Sequence, residues 1–186
     1  MANCVRRATE RMPSLRIRWA RCVSTVRVLI AMCDLMTKSG RTDDAIPILE
    51  KLVAGEEAGG KRRGKDAAVY LERLAAALEA KDDLAGAKSR LEEAARVDVT
   101  NVRVAYRLGL LYKKEGDTDR AGQKLRPLLL QKIDASSGID KADVYFHLAE
   151  IHVAKGEKPK AKSMIDRGLQ ANAEHEGLKG LKDQVK

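Results

Sequence analysis

The segment Ala105-x-x-Leu108-Gly109-x-x-Tyr112, followed by Gly116-Asp117 and then Ala121-x-x-x-Leu125, is the stretch from which the architecture can be read. Apolar residues three and four apart lie on one stripe of a helix. Gly116 then supplies the residue type that ends a helix, and Asp117 a carboxylate placed to cap the next one. The same frame recurs as Tyr145-x-x-Leu148-Ala149-x-x-His152, Gly156 and Ala161-x-x-x-Ile165. Upstream it reads Leu71-x-x-Leu74-Ala75-x-x-Leu78, Asp82 and Ala87-x-x-x-Leu91. A weaker copy, Leu29-x-x-Met32-Cys33-x-x-Met36, Gly40 and Ala45-x-x-x-Leu49, lacks the aromatic residues.

In all four copies the small residue of the first helix precedes the alanine of the second by 12 positions. Two helices nest closely only where small side chains meet, and the expected contact is Gly109 against Ala121. Leu108, Tyr112 and Leu125 would then fill the space on either side. The pattern of a large residue, Leu-Gly or Leu-Ala, Tyr and a later Ala resembles the tetratricopeptide repeat. The anchor alanines Ala45, Ala87, Ala121 and Ala161 are 42, 34 and 40 residues apart. The middle interval equals the family period, and the surpluses fall in the polar runs 55–64 and 134–140, where added loop length costs little.

The resemblance implies an all-α fold, a right-handed α-solenoid of about four helix-turn-helix repeats. The repeats are expected near 26–55, 66–99, 102–131 and 142–172, with a closing helix at 174–185 and a basic extension, helical or disordered, at 1–25. Gly40, Gly116 and Gly156 should end first helices, while Asp83 and Asp117 cap second ones. Pro159 fits a first helical turn. Pro47 and Pro127 fall inside second helices, where a bend or an early end is expected.

Composition agrees with helices packed through small and aliphatic side chains: of 186 residues only 3% are aromatic. The net charge of +9 is concentrated, because residues 1–37 hold seven Arg, no Lys and two acids. That +5 leaves +4 for the remaining 149 residues, a mixed-charge surface that speaks for solubility and against nucleic acid as the main partner. Cys4, Cys22 and Cys33 form no C-x-x-C pair, so neither a disulfide framework nor a zinc ribbon is indicated, and a reducing, cytoplasmic setting is expected, with a bacterial envelope or an organelle as the open alternatives. The apolar run from Val28 to Cys33 is far shorter than the ~20 residues of a membrane span.

No catalytic or metal site and no cofactor is expected. Gly59-Gly60-Lys61-Arg62-Arg63-Gly64-Lys65 has the spacing of a phosphate-binding loop, but Asp66 stands where a hydroxyl should meet magnesium and helical sequence precedes it. His147 and His152 are five residues apart, so they point roughly 140° from each other on a helix of ~3.6 residues per turn and share no zinc. His152, at the Tyr position of the repeat, reads as a packing residue, His147 as a groove or surface residue, and His175 as a solvated helix start. The arm Arg6, Arg7, Arg11, Arg16, Arg18 and Arg21 could touch phosphates, although a solvated charge run is the commoner meaning.

What remains is binding. The resemblance implies that first helices line a concave groove holding a peptide or protein partner. In this sequence the groove positions are Arg103, Tyr106, Leu110, Lys113 and Lys114, then Asp143, Phe146, Glu150 and Val153, and upstream Val69, Glu72, Ala76 and Glu79. Glu72, Ala76, Tyr106, Leu110, Phe146 and Glu150 replace the Lys and Asn with which some relatives grip a chaperone carboxylate, so no such clamp is expected. Two alternatives stay open: a subunit or fragment of a larger repeat assembly, and a helical-repeat nucleic-acid binder using the arm.

Overall fold

The computed structural model describes residues 23–58, 65–134 and 137–185. The six arginines of the arm, Cys4, Trp19, Cys22 and residues 59–64 of the phosphate-loop look-alike lie outside the described residues. Among the described residues there are nine α-helices, one 3-10 turn and no strand. In chain order these are α1 (Val23–Lys38), α2 (Thr42–Ala58), α3 (Lys65–Ala80), α4 (Leu84–Val97), α5 (Val102–Lys114), α6 (Thr118–Leu125), the 3-10 turn (Arg126–Leu129), α7 (Lys141–Ala154), α8 (Lys158–Ala171) and α9 (Glu176–Gln184).

The four turns that end first helices are built alike. A residue with positive φ follows each helix: Gly40 at 79°, Asp82 at 61°, Gly116 at 82° and Gly156 at 72°. The next amide then donates to the carbonyl five residues back: Arg41 to Met36, Asp83 to Leu78, Asp117 to Tyr112 and Glu157 to His152, at 2.8, 3.0, 2.8 and 2.9 Å. That bond satisfies a carbonyl which the helix itself leaves open. Asp82 alone adopts this conformation with a side chain, at a cost that glycine avoids. The expected caps form, since Asp83 Oδ1 accepts from Gly86 N at 2.9 Å and Asp117 Oδ1 from Arg120 N at 2.9 Å. Pro159 sits in the first turn of α8, as expected.

The chain divides into two compact units, Met1–Ala87 and Lys88–Lys186. In the first, α1 packs on α2, and both pack on α3. Cys33, in the place where the repeat pattern wants Gly or Ala, is buried with its Sγ 4.0 Å from the Ala45 carbonyl. A thiol is small enough for the close approach, and burial pushes its pKa up. Leu49, Leu71 and Leu74 complete this core. Pro47 does not end α2, which runs on to Ala58. The bond it cannot make would have gone to Asp43 near the helix start, and both residues are exposed, on the solvent side of the helix.

In the second unit α5 packs on α6, α7 on α8, and α9 on both α8 and α7. The close approach at Gly109 is to Leu125 and not to Ala121: a Cβ built there would lie 2.6 Å from Leu125 Cγ. The fit is knob against backbone, with the leucine one turn beyond the alanine as the knob. Gly168, which the repeat frame does not single out, plays the same part in the last pair, where a Cβ would lie 2.5 Å from Leu178 Cδ1 and 2.9 Å from Tyr145 Cβ. Pro127 has the expected effect: α6 stops at Leu125 and a 3-10 turn takes its place.

Equivalent ion pairs tie neighbouring elements in both units. Lys81 meets Asp43 at 2.6 Å, and Lys155 meets Asp119. Each lysine lies six residues before an anchor alanine, and each aspartate two before the preceding anchor. Exposed pairs of this kind are screened by solvent and stabilise little, so they favour a register more than they stabilise the fold.

Gly109→Val and Gly168→Val should each lower stability by ~1–3 kcal/mol through overpacking. Gly180→Ala, where a new Cβ meets nothing within 4 Å, should raise it by up to ~1 kcal/mol, and Asp82→Gly by a similar amount. Urea unfolding followed by circular dichroism checks all four signs, and an unperturbed Gly109→Val would remove the basis for the helix pairing.

Candidate functional site

Helix α5 starts at Asn101, whose side-chain oxygen accepts from Arg103 N at 3.1 Å and Val104 N at 3.2 Å. Its core side carries Val104, Leu108, Gly109, Leu111 and Tyr112. Tyr112 is buried and donates to Glu92 Oε1 at 2.9 Å, with the Lys88 ammonium 4.9 Å from its ring centre. Burial and the Glu92 carboxylate raise its pKa. The opposite stripe, Arg103, Tyr106, Leu110 and Lys113, is left half-buried, while Lys114 is exposed at the helix end.

Helix α7 is held at its start by a capping box between Asp140 and Asp143. It buries Val144, Leu148, Ala149, Ile151 and His152 and presents Phe146, His147 and Glu150 beside α5. The two helices meet in one cluster. Lys113 Nζ lies 2.5 Å from Glu150 Oε2 and 3.0 Å from His147 Nδ1, and His147 Nδ1 lies 2.9 Å from Glu150 Oε2. A single ring nitrogen either accepts from Lys113 or donates to Glu150, so the ring chooses between two partners. Tyr106 stands 5.9 Å and Phe146 5.2 Å from the His147 ring, centre to centre.

Electrostatics follow from that packing. Tyr106 has its pKa pushed up to about 12, first by burial and then by the charges of Asp143 and Glu150. For Glu150 burial is the largest influence and opposes ionisation, yet the hydrogen bonds from His147 and Lys113 together outweigh it and hold the carboxyl below its usual range. The Lys113 charge is thus spent inside the protein, and Lys114 stands exposed at the end of α5.

Of the sequence-nominated residues the structure therefore brings Tyr106, Lys113, Phe146 and Glu150 together through His147. Arg103, Leu110 and Lys114 share the α5 side without joining the cluster. Part of the α7 row is occupied by α9. Phe146 and Val153 pack against the core that includes Leu178 and Leu181, and a Cβ on Gly177 would come within 3.0 Å of Phe146. Asp143 Oδ1 lies 3.0 Å from His175 Nε2. His175 is not merely a solvated helix start: its Nδ1 accepts from Leu178 N at 3.1 Å and caps α9 while Nε2 reaches Asp143. No sequence signal announces that bridge, because the two residues are 32 apart.

In the first unit Val69, Ala76 and Glu79 are half-buried on α3. Glu72 is a correction to the expected groove: only 2% of it is exposed, and Arg73 Nε stands 3.5 Å from its Oε2. His152 packs as expected, 4% exposed, with Nδ1 2.6 Å from Glu157 Oε2. Helix α2, not a strand, precedes the phosphate-loop look-alike.

No protein-family model matches the chain, and no curated protein matches it in sequence. Solved structures do. The nearly identical TPR-like repeats of a Podosopora anserina protein match at a TM-score of 0.64 with 16% identity, over 89% of this chain and 95% of that one. PilF of Pseudomonas aeruginosa matches at 0.70 with 17% identity, over 86% and 66%. A tetratricopeptide repeat protein from Parabacteroides merdae matches at 0.70 with 15% identity, over 86% and 58%. The likeness is one of fold, an all-helical tetratricopeptide-like repeat.

Glu157 supplies a pH test of the α7–α8 turn. Its carboxyl is held down to about 2, chiefly by Lys160 and then by His152. A depressed carboxylate contributes stability that is present above its ordinary value of 4.5 and lost as pH falls through about 2. The thermal midpoint of Glu157→Gln should therefore lie below that of the parent at pH 6 and converge with it towards pH 2; a gap independent of pH would show the pairing to be inert.

Proposed function

We propose that this chain is a non-enzymatic scaffold that holds a peptide or protein partner on the first-helix face of α5 and α7, with Arg103, Tyr106, Leu110, Lys113, Lys114, Phe146 and Glu150 as its contact residues. The observation that supports it most is the half-buried stripe of α5, with Tyr106 propped against His147. An aromatic ring with a polar tip, held in place before binding, offers contact area at a small entropy cost. The partner that fits has an apolar anchor for Tyr106 and Leu110 and some negative charge for Arg103 and Lys114. In this reading the helices form about four repeats with α9 as the closing helix, residues 1–25 are an extension, and the chain works in the cytoplasm. Among the described residues no helix is long and apolar enough to cross a membrane.

A second reading has one observation in its favour. Val28 and Leu35, seven residues apart on α1, are 66% and 67% exposed, which suits a subunit of a larger helical-repeat assembly.

The test is capture of partners by the full chain and by the Tyr106→Ala, Arg103→Glu double variant. Affinity for the captured protein should fall at least tenfold, about 1.4 kcal/mol, with unchanged helical content. Equal capture by both would refute this placement of the contact face.

A further inference from the structure

The break of α6 at Pro127 leaves a cleft on a side of the second unit that the α5–α7 stripe does not use. Its floor is Leu108 and Leu128, each 1% exposed, and its walls include Ala95, Val99 and Pro127. In a continued helix the residues after Leu125 would keep the rise of an α-helix; the proline instead forces the 3-10 turn and Leu130 ends it 92% exposed. Val99, on the facing wall, is 80% exposed. The space is about 190 Å³, below the ~300–1,000 Å³ of small-molecule sites. It compares with the roughly 150 Å³ that accepts a benzene ring, so it has room for one large apolar side chain.

Charge selects what would carry that side chain. Lys124 lines the cleft, and Lys132 directly follows the lining residue Gln131. Arg120 of the same helix is spent on Asp117, but no ion pair among the described residues involves Lys124 or Lys132. The acid that lines the cleft, Asp98, accepts from the amide and hydroxyl of Thr100 at 3.0 and 2.7 Å. An apolar slot with an unpaired lysine on its lining, a second lysine beside it and its one acid engaged by Thr100 complements an apolar residue flanked by carboxylates.

We infer that the cleft between Val99 and Pro127 is a second docking site, distinct from the α5–α7 face, for an acidic segment of a partner protein that inserts one large apolar side chain. Acidic neighbours of that anchor meet Lys124 and Lys132, and Gln123 and Gln131, which also line the cleft, offer hydrogen bonds to its backbone.

The experiment titrates the isotope-labelled full chain with the capped hexapeptide Glu-Asp-Leu-Phe-Asp-Glu and follows backbone amides by NMR. Saturable shifts are expected at residues 98–101 and 123–131 at millimolar peptide. Binding should weaken at least tenfold in the Lys124→Glu, Lys132→Glu variant and several-fold in Val99→Ser, and stay unchanged in Tyr106→Ala with Arg103→Glu. Replacing Leu-Phe by Ser-Ser, or the four acids by lysines, should abolish the shifts. Absence of saturable shifts, equal binding of either control peptide, or shifts confined to α5 and α7 would each overturn the proposal. So would shifts at residues 98–101 and 123–131 that grow with protein concentration alone, since a second copy would then be the occupant. The α5–α7 reading fails separately, by equal capture after the Tyr106 and Arg103 substitutions.

Discussion

The structure depends on how near one helix axis can come to the next. At Gly109 and Gly168 a leucine side chain sits against bare backbone, at distances no Cβ could share. At Cys33 a thiol fills the same place, 4.0 Å from the Ala45 carbonyl. Dispersion falls off steeply with separation, so each close approach brings many surrounding side chains into contact. Leu108, Leu125, Leu148 and Ile165 are all at most 1% exposed for this reason.

Once one side of each helix is committed to its pair, the other side is decided as well. The turn between the members of a pair recurs four times with the same backbone bond, and that recurrence repeats the geometry from pair to pair. The equivalent Lys81–Asp43 and Lys155–Asp119 contacts are a consequence of such repetition. Stability in such an array is close to a sum of local and nearest-neighbour contributions, which leaves surface positions free to vary in chemistry. Tyr106 and His147 occupy such positions; Glu72, formally a groove position, is drawn inward instead.

The two proposed docking surfaces arise as by-products of packing. The α5–α7 stripe is what remains after both helices have buried their cores, and α9 claims part of it by laying Leu178 and Leu181 beside Phe146 and Val153. The cleft at Pro127 has a different origin, a helix stopped early by a residue that can neither donate nor make room for the preceding carbonyl. Neither proposed surface requires chemistry beyond shape and charge.

Much was legible in the residues themselves, because a translational repeat writes its constraints locally. The spacing of 12 between small residues, the glycines at positive φ and the caps at Asp83 and Asp117 are all settled within a few turns of chain. Contacts between distant residues were not legible. That Gly109 meets Leu125, that Gly168 receives Leu178, and that His175 joins Asp143 while capping α9 depend on which side chains the packed helices bring to one place. The helical period places a residue on a face, whereas the depth to which that face is covered depends on its neighbours in space. For this reason the sequence alone determined the architecture and the stripe, and only the tertiary structure decided that Lys113 is spent on Glu150, that Glu72 is hidden and that Pro127 opens a cleft.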